Sequence, residues 1–155
     1  MILVTVGTHL QPFSRLIDEI DRLIEVGEIK QDVLVQIGHS NPPKHARYFK
    51  SIDYGKMLLL MRKASMIVTH GGIGSVLLSV RLNKPTIVVP RLREFGEHTD
   101  NHQLEVTREL SKQKKILPVY DIAELKNAMR EARHFRPIKN IRNNKILRIV
   151  DNFLK

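Results

Sequence analysis

Five short apolar runs limit what this chain can fold into. MILVTV, VLVQI, MIVT, PTIVV and ILPV are rich in β-branched residues and show no polar alternation, so each reads as a strand buried on both faces. Between the first two, QPFSRLIDEIDRLIEVG sets Phe13, Leu16, Ile17, Ile20, Leu23 and Ile24 at helical spacing, with Pro12 suited to the first turn and Gly27 to the end. Met57, Leu60, Met61 and Ala64 form a second stripe with Asp53 as its cap. In DIAELKNAMREA, Asp121 and Glu124 have capping-box spacing ahead of Leu125 and Met129. Strand and helix alternate throughout, which calls for parallel pairing, right-handed crossovers and helices on both faces. The expected fold is an open, doubly wound parallel α/β sheet. Segment 39–53, HSNPPKHARYFKSID, is a proline-broken loop with room for a short strand around Arg47 to Ile52.

No internal repeat or second domain interrupts this pattern, so residues 1–155 read as one domain. The chain has no cysteine, which removes disulfides and thiolate metal sites and fits a reducing compartment. Its first residues lack the features of a signal peptide, and no run approaches the roughly 20 apolar residues that span a bilayer. A soluble cytoplasmic chain is the expectation. The net charge of +10 is unevenly placed: residues 126–155 hold nine Lys and Arg against two Asp and Glu. Segment 136–155 keeps Ile138, Ile141, Val150 and Phe153 among these cations and reads as a basic amphipathic C-terminal helix. Such a block is either a solvated helix face or a surface for nucleic acid, anionic lipid or an acidic protein. Aromatics make up only 5% of the chain and no RNA-stacking motif is present, which argues against nucleic acid.

In an open parallel sheet, ligands sit beyond the carboxyl ends of the strands. There the sequence places Gly7-Thr8-His9, Gly38-His39-Ser40, His70 through Ser75, and Arg91 onward. Glycines after a strand let backbone approach a ligand and expose amides at a helix N-terminus, which favours phosphate or diphosphate. Gly71, Gly72 and Gly74 do so after the third run, and Gly7 and Thr8 after the first. The spacing is neither G-x-G-x-x-G nor a P-loop. Ser75 either donates to the ligand or caps the helix, capping being the preferred reading. His70 is either a structural histidine or a donor to a leaving phosphate. Segment 91–103, RLREFGEHTDNHQ, has the makings of a loop over the ligand. Asn101, His102 and Gln103 suit a hydroxyl-rich ligand. His98 and His102 stand four apart, but a helix only begins there, and no metal site is expected.

VTVGTHLQPFSRLI, THGGIGS, KPTIVVPR and FGEHTDNHQLE together resemble the glycosyltransferase family 28 C-terminal domain, the donor-binding half of MurG-related GT-B enzymes. Within it they resemble small subunits of the PssE/EpsE and Alg13 type. The likeness runs in order from residue 2 to about residue 110. It implies a Rossmann-like fold, a UDP-sugar donor and inverting transfer to a lipid-linked acceptor at the cytoplasmic membrane face, without a metal cofactor. It also implies a partner, a PssD/Alg14-like membrane-associated acceptor subunit that completes the cleft; without it, the isolated chain could self-associate. Carried over by position, Gly7 and Thr8 face the phosphates, the Gly71-to-Ser75 turn stabilises the leaving diphosphate, and Asn101, His102 and Gln103 hold the sugar; Arg91, at its strand end, is a further donor-binding candidate. The neighbourhood of Ile52 to Tyr54 meets the base. His9 is the in-chain candidate for the catalytic base, beside His70 as the second catalytic candidate. The resemblance also brings a departure: where the family carries a Glu for the ribose hydroxyls, this chain has Leu78. The alternative reading is therefore a non-catalytic or degenerate subunit that stabilises a membrane glycosyltransferase complex.

Overall fold

Fully buried Val4, Val35, Val68 and Val88 lie in four adjacent strands, as the unbroken apolar runs require. The computed structural model describes residues 1–138. In chain order the elements are β1 (Ile2–Thr5), α1 (Ser14–Glu25), β2 (Val33–Gln36), β3 (Arg47–Phe49), α2 (Tyr54–Lys63), β4 (Met66–His70), α3 (Ile73–Arg81), β5 (Thr86–Val89), α4 (His102–Lys112), β6 (Leu117–Pro118) and α5 (Leu125–Ala132). The strands form one six-stranded sheet in the order β3-β2-β1-β4-β5-β6, and every pairing is parallel. The segment expected around Arg47 to Ile52 is the edge strand β3. Among the described residues, no helix is long and apolar enough to cross a membrane.

Side-chain alternation along the strands divides the core in two. Ile2, Val4 and Val6 join Met66, Val68, Ile87 and Val89 under α1 and α5, against Leu16, Ile20, Leu125 and Met129. On the other face, Leu3 and Ile67 pack with Met61 of α2. Val88 packs there with Val76 and Val80 of α3 and Val106 and Leu110 of α4. The sheet is thus covered on both sides. The chain leaves β1 toward the face of α1 and leaves β4 toward the face of α3, which opens a crevice between the carboxyl ends of β1 and β4.

Helix ends show where local signals held. Asp53 caps α2, its carboxylate accepting from the Lys56 amide. Gly27, with φ +76°, ends α1, and the amides of Gly27 and Glu28 bond back to Ile24 and Leu23. Pro12 lies outside α1 rather than in its first turn, because the helix begins at Ser14. Its entry is fixed by the Phe13 amide donating to Ser40 Oγ at 2.8 Å. Asp121 accepts from Ala123 in a single 3-10 turn, and α5 starts only at Leu125. The expected C-terminal helix 136–155 lies outside the described residues, apart from Arg136, Pro137 and Ile138, which are not helical.

Phe13 is completely buried, with the guanidinium of Arg91 4.9 Å from its ring centroid. Phe13→Ala removes the ring and leaves a cavity beneath the β1–α1 loop, so urea unfolding is expected to show a loss of about 3–5 kcal/mol.

Candidate functional site

Two glycine turns face each other across the β1–β4 crevice. Gly7 follows β1 at φ +78°, a conformation that favours glycine. The side-chain amide of Gln36, at the end of β2, brackets it. Gly7 N–H donates to Gln36 Oε1 at 3.0 Å, and Gln36 Nε2 donates to the Gly7 carbonyl at 3.1 Å. The second turn runs from His70 into α3, whose N-cap is Gly72. Ser75 lies in the first helical turn and does not cap it, which replaces the capping role expected from sequence.

His70 lies between the two turns. A Cβ on Gly7 would sit 2.6 Å from His70 Nε2, and one on Gly72 would run into the same atom. Both positions therefore need glycine because the imidazole occupies the space. Burial, reinforced by the nearby Arg91 guanidinium, pushes the His70 pKa down to about 4, with a hydrogen bond to the Thr5 backbone pulling the other way. The ring is therefore neutral at neutral pH. It can carry a proton at one nitrogen and accept at the other, but it supplies no net charge.

The crevice opens into a cleft of about 400 Å³. Gly7, Thr8, Gln36, His70 and Gly72 line it from the strand ends and turns, Ile73, Gly74 and Ser75 from the start of α3, and Ser51, Ile52, Tyr54 and Met57 complete it. Of the residues expected at the site, the structure thus brings together Gly7, Thr8, His70, Gly72, Gly74 and Ser75, along with Ile52 and Tyr54. A second cleft, of about 470 Å³, lies at the opposite end of the strands among Ile2, Met66, Lys30, Lys126, Arg130 and Arg133. It lies beside the C-terminal turn of α1 at Gly27 and the first turn of α5 at Lys126, away from the carboxyl ends of the strands.

Gly71, Arg91 and Gln103 lie behind the cleft and not in its wall. Gln103 Oε1 accepts from the amides of Gly71 at 3.1 Å and Arg91 at 3.0 Å, tying the ends of β4 and β5 together. That oxygen is occupied by backbone, in place of the sugar contact expected for Gln103. A Cβ on Gly71 would come within 2.7 Å of Gln103 Cβ. Arg91 is almost fully buried. Its Nε and Nη2 donate to the Val6 carbonyl at 3.2 and 2.6 Å. Its Nη1 donates to the carbonyls of Gln11 and Glu97 at 2.7 and 2.9 Å. Arg91 therefore supports the loops and replaces the donor-contacting role expected for it. Burial lowers its pKa to about 10, which leaves it a cation at neutral pH.

His9 sits on the neighbouring loop, its ring tilted by 34° against that of His98 with centroids 4.4 Å apart. Burial and His98, with Arg91, lower its pKa, while Asp100 opposes them. Asn101 Oδ1 accepts from the Arg93 amide, and His102 stands exposed between Asp100 and Glu105. Because α4 begins at His102, His98 and His102 do not share a helix face. Sequence reasoning missed Gln36. Its signal was a polar residue at the end of an otherwise apolar strand, two residues before Gly38.

Residues 1–151 match the family model described as the glycosyltransferase family 28 C-terminal domain. The UDP-N-acetylglucosamine transferase subunit ALG13 of Yarrowia lipolytica (strain CLIB 122 / E 150) is 30% identical over 131 residues, which take in 76% of this chain and 63% of that one. The chain thus spans just under two thirds of that curated relative. The NMR structure of ALG13 has a TM-score of 0.58 at 18% identity, covering 90% of both chains. MurG of Acinetobacter baumannii has a TM-score of 0.60 at 13% identity, covering 86% of this chain but only 42% of that one. These two likenesses show the fold.

His70 gives the structure a pH signature. A histidine held well below its unfolded value binds fewer protons folded than unfolded between about pH 6.5 and pH 4. Its stabilising contribution is therefore complete above pH 6.5 and is lost as pH falls through that window. His9 acts in the same direction. The difference between wild type and His70→Gln isolates the buried ring. Urea titrations are expected to show the acid-side loss reduced by about 3 kcal/mol in the variant.

Proposed function

Because the chain belongs to the glycosyltransferase family 28 C-terminal domain family, we propose that it is the donor-binding, catalytic subunit of a two-component inverting glycosyltransferase. Its donor is a UDP-sugar and its acceptor a lipid-linked molecule at the membrane face, in polysaccharide synthesis. The observation that carries this reading is the cleft itself: two glycine turns and the N-terminus of α3 converge on one space at the switch point of the sheet. Amides at a helix start favour anions. In transfer, an acceptor oxygen attacks the anomeric carbon, the bond to the diphosphate breaks with its electron pair, and the acceptor proton passes to a base. The turns at Gly7 and Gly72–Ser75 stabilise the negative charge that develops on the leaving diphosphate. Neutral His70 lies between those turns as a hydrogen-bonding group.

The two-component reading is supported by the relative of Yarrowia lipolytica, which is by name a subunit of a UDP-N-acetylglucosamine transferase. An acceptor-binding half on a second, membrane-associated chain completes the cleft, and the catalytic base comes from that chain or from His9. Asn101 and His102, on the exposed rim at the start of α4, face the donor sugar in this reading. One observation favours a non-catalytic subunit instead. Leu78, where the resemblance calls for a carboxylate, packs against the apolar cluster of Leu3, Met61, Ala64 and Ile67.

Gly74 offers a test that separates fold from function. A Cβ there meets nothing within 4 Å. A carboxylate in the first turn of α3 also complements the helix dipole. Gly74→Asp is therefore expected to keep or raise the melting temperature while weakening UDP binding at least about tenfold, by repulsion within a cleft that must take a diphosphate. Calorimetric titration of both chains measures this. Equal UDP binding by both would contradict a diphosphate site on the α3 turn, and none by the wild type would favour the non-catalytic reading. Donor-dependent sugar transfer in the reconstituted pair tests the enzyme directly.

A further inference from the structure

We infer that the basic cleft at the far end of the sheet is a docking trough for an extended acidic segment of a partner chain, with carboxylates at alternate residues. That cleft, of about 470 Å³, shares Gln31, Met66 and Arg133 with a neighbouring one of about 420 Å³ that is lined also by Pro85 and Arg136. The two form one trough. It passes the starts of four adjacent strands: Gln31 before β2, Ile2 in β1, Met66 in β4 and Pro85 before β5. Neighbouring strands stand about 4.8 Å apart, so the trough runs for roughly 14 Å. That is the reach of about four extended residues.

One wall carries a line of cations. Lys126, Arg130 and Arg133 are spaced by four and then three residues, and so share one face of α5 and its C-cap. Their rise along the helix is about 6 Å and then about 4.5 Å. Side chains on one face of an extended chain recur every ~6.7 Å, so alternate carboxylates meet this line nearly in register. Lys30 adds a cation from the α1–β2 connection. Glu28, the one acid among the lining residues, is already shared by Lys126 and Arg130, at 2.5 and 3.1 Å. Lys30 and Arg133 form no ion pair among the described residues. The base of the trough is the buried side chains of Ile2, Leu23, Ile29 and Met66, a poorly polarisable floor beside which charges act more strongly than in water. Other occupants fit less well. A lone diphosphate meets only part of the line. Nucleic acid finds no aromatic side chain in the lining on which to stack a base. The chain's own residues 139–155 hold five Lys and Arg against one Asp, and so repeat the charge of the trough.

Amide NMR titration of the isotopically labelled full chain with the end-capped peptide Glu-Thr-Glu-Thr-Glu-Thr-Glu tests this. The largest shifts are expected on Lys30, Gln31, Arg130 and Arg133. Lys30→Glu combined with Arg133→Glu, at exposed positions outside any ion pair described, is expected to weaken the peptide at least about tenfold. Lys30→Gln combined with Arg133→Gln removes the charge without reversing it and is expected to weaken binding by a smaller factor. A capped peptide of the same composition with its Glu residues contiguous is expected to bind about threefold more weakly. Equal affinity of the two peptides would overturn the extended register. Absence of shifts at millimolar peptide, or equal binding by the wild type and both variants, would overturn the proposal. So would tighter binding of an oligouridylate or of phosphatidylglycerol vesicles at the same residues, because the occupant would then be nucleic acid or lipid.

Discussion

The buried guanidinium of Arg91 is the interaction on which the rest of this site depends. Placing a cation almost wholly out of water is costly unless its donors are satisfied. Here they reach carbonyls of three separate segments: Val6 at the end of the β1 region, Gln11 before α1 and Glu97 in the loop after β5. Phe13 lies beneath the guanidinium, and Arg15 pairs with Glu97 at 2.8 Å. One side chain therefore fixes the loops on both sides of the β1–β4 crevice relative to each other. A lysine could not do the same, because the fork of N–H groups is what spans three acceptors. The same positive charge helps to keep His70 neutral.

From that scaffold the cleft follows almost by exclusion. The His70 imidazole fills the space between the two turns, so Gly7 and Gly72 have no room for side chains and their backbone faces the cleft. Gln36 holds the Gly7 peptide from the β2 side, and Gln103 holds the Gly71 and Arg91 peptides from α4. Two buried side-chain amides thus set the geometry of backbone groups that the proposed donor meets. The wall between the turns and Tyr54 is different in kind. Met57 lines it and packs, with Leu78 and Leu82, against the buried cluster of Leu3, Met61, Ala64 and Ile67, while Ser51 and Tyr54 add hydroxyls.

Much of this was legible in the sequence, because unbroken β-branched runs and helical stripes each admit few alternatives. The parallel pairing of the five apolar runs, the Asp53 cap and the glycine turns on one edge all followed from local pattern, whereas the proline-broken segment 39–53 left room for a strand around Arg47 to Ile52 without fixing its bounds or its place at the sheet edge. What escaped were roles set by partners distant in sequence. Arg91 and Gln103 look like ligand-binding polar residues at a strand end. Only the fold shows that Arg91 meets carbonyls up to 85 residues away. Gln36 was hidden within a strand run, and Ser75 looked like a cap because sequence alone does not fix the residue at which a helix begins.

The central claim is that a nucleoside diphosphate binds between the Gly7 turn and the start of α3. An amide NMR titration of the isotopically labelled chain with UDP tests it most directly. The account predicts that the largest shifts fall on Gly7, Thr8, Ser51, Tyr54, Gly72 and Gly74. Shifts centred on Lys30, Lys126, Arg130 and Arg133, in the basic cleft at the other end of the strands, would contradict it.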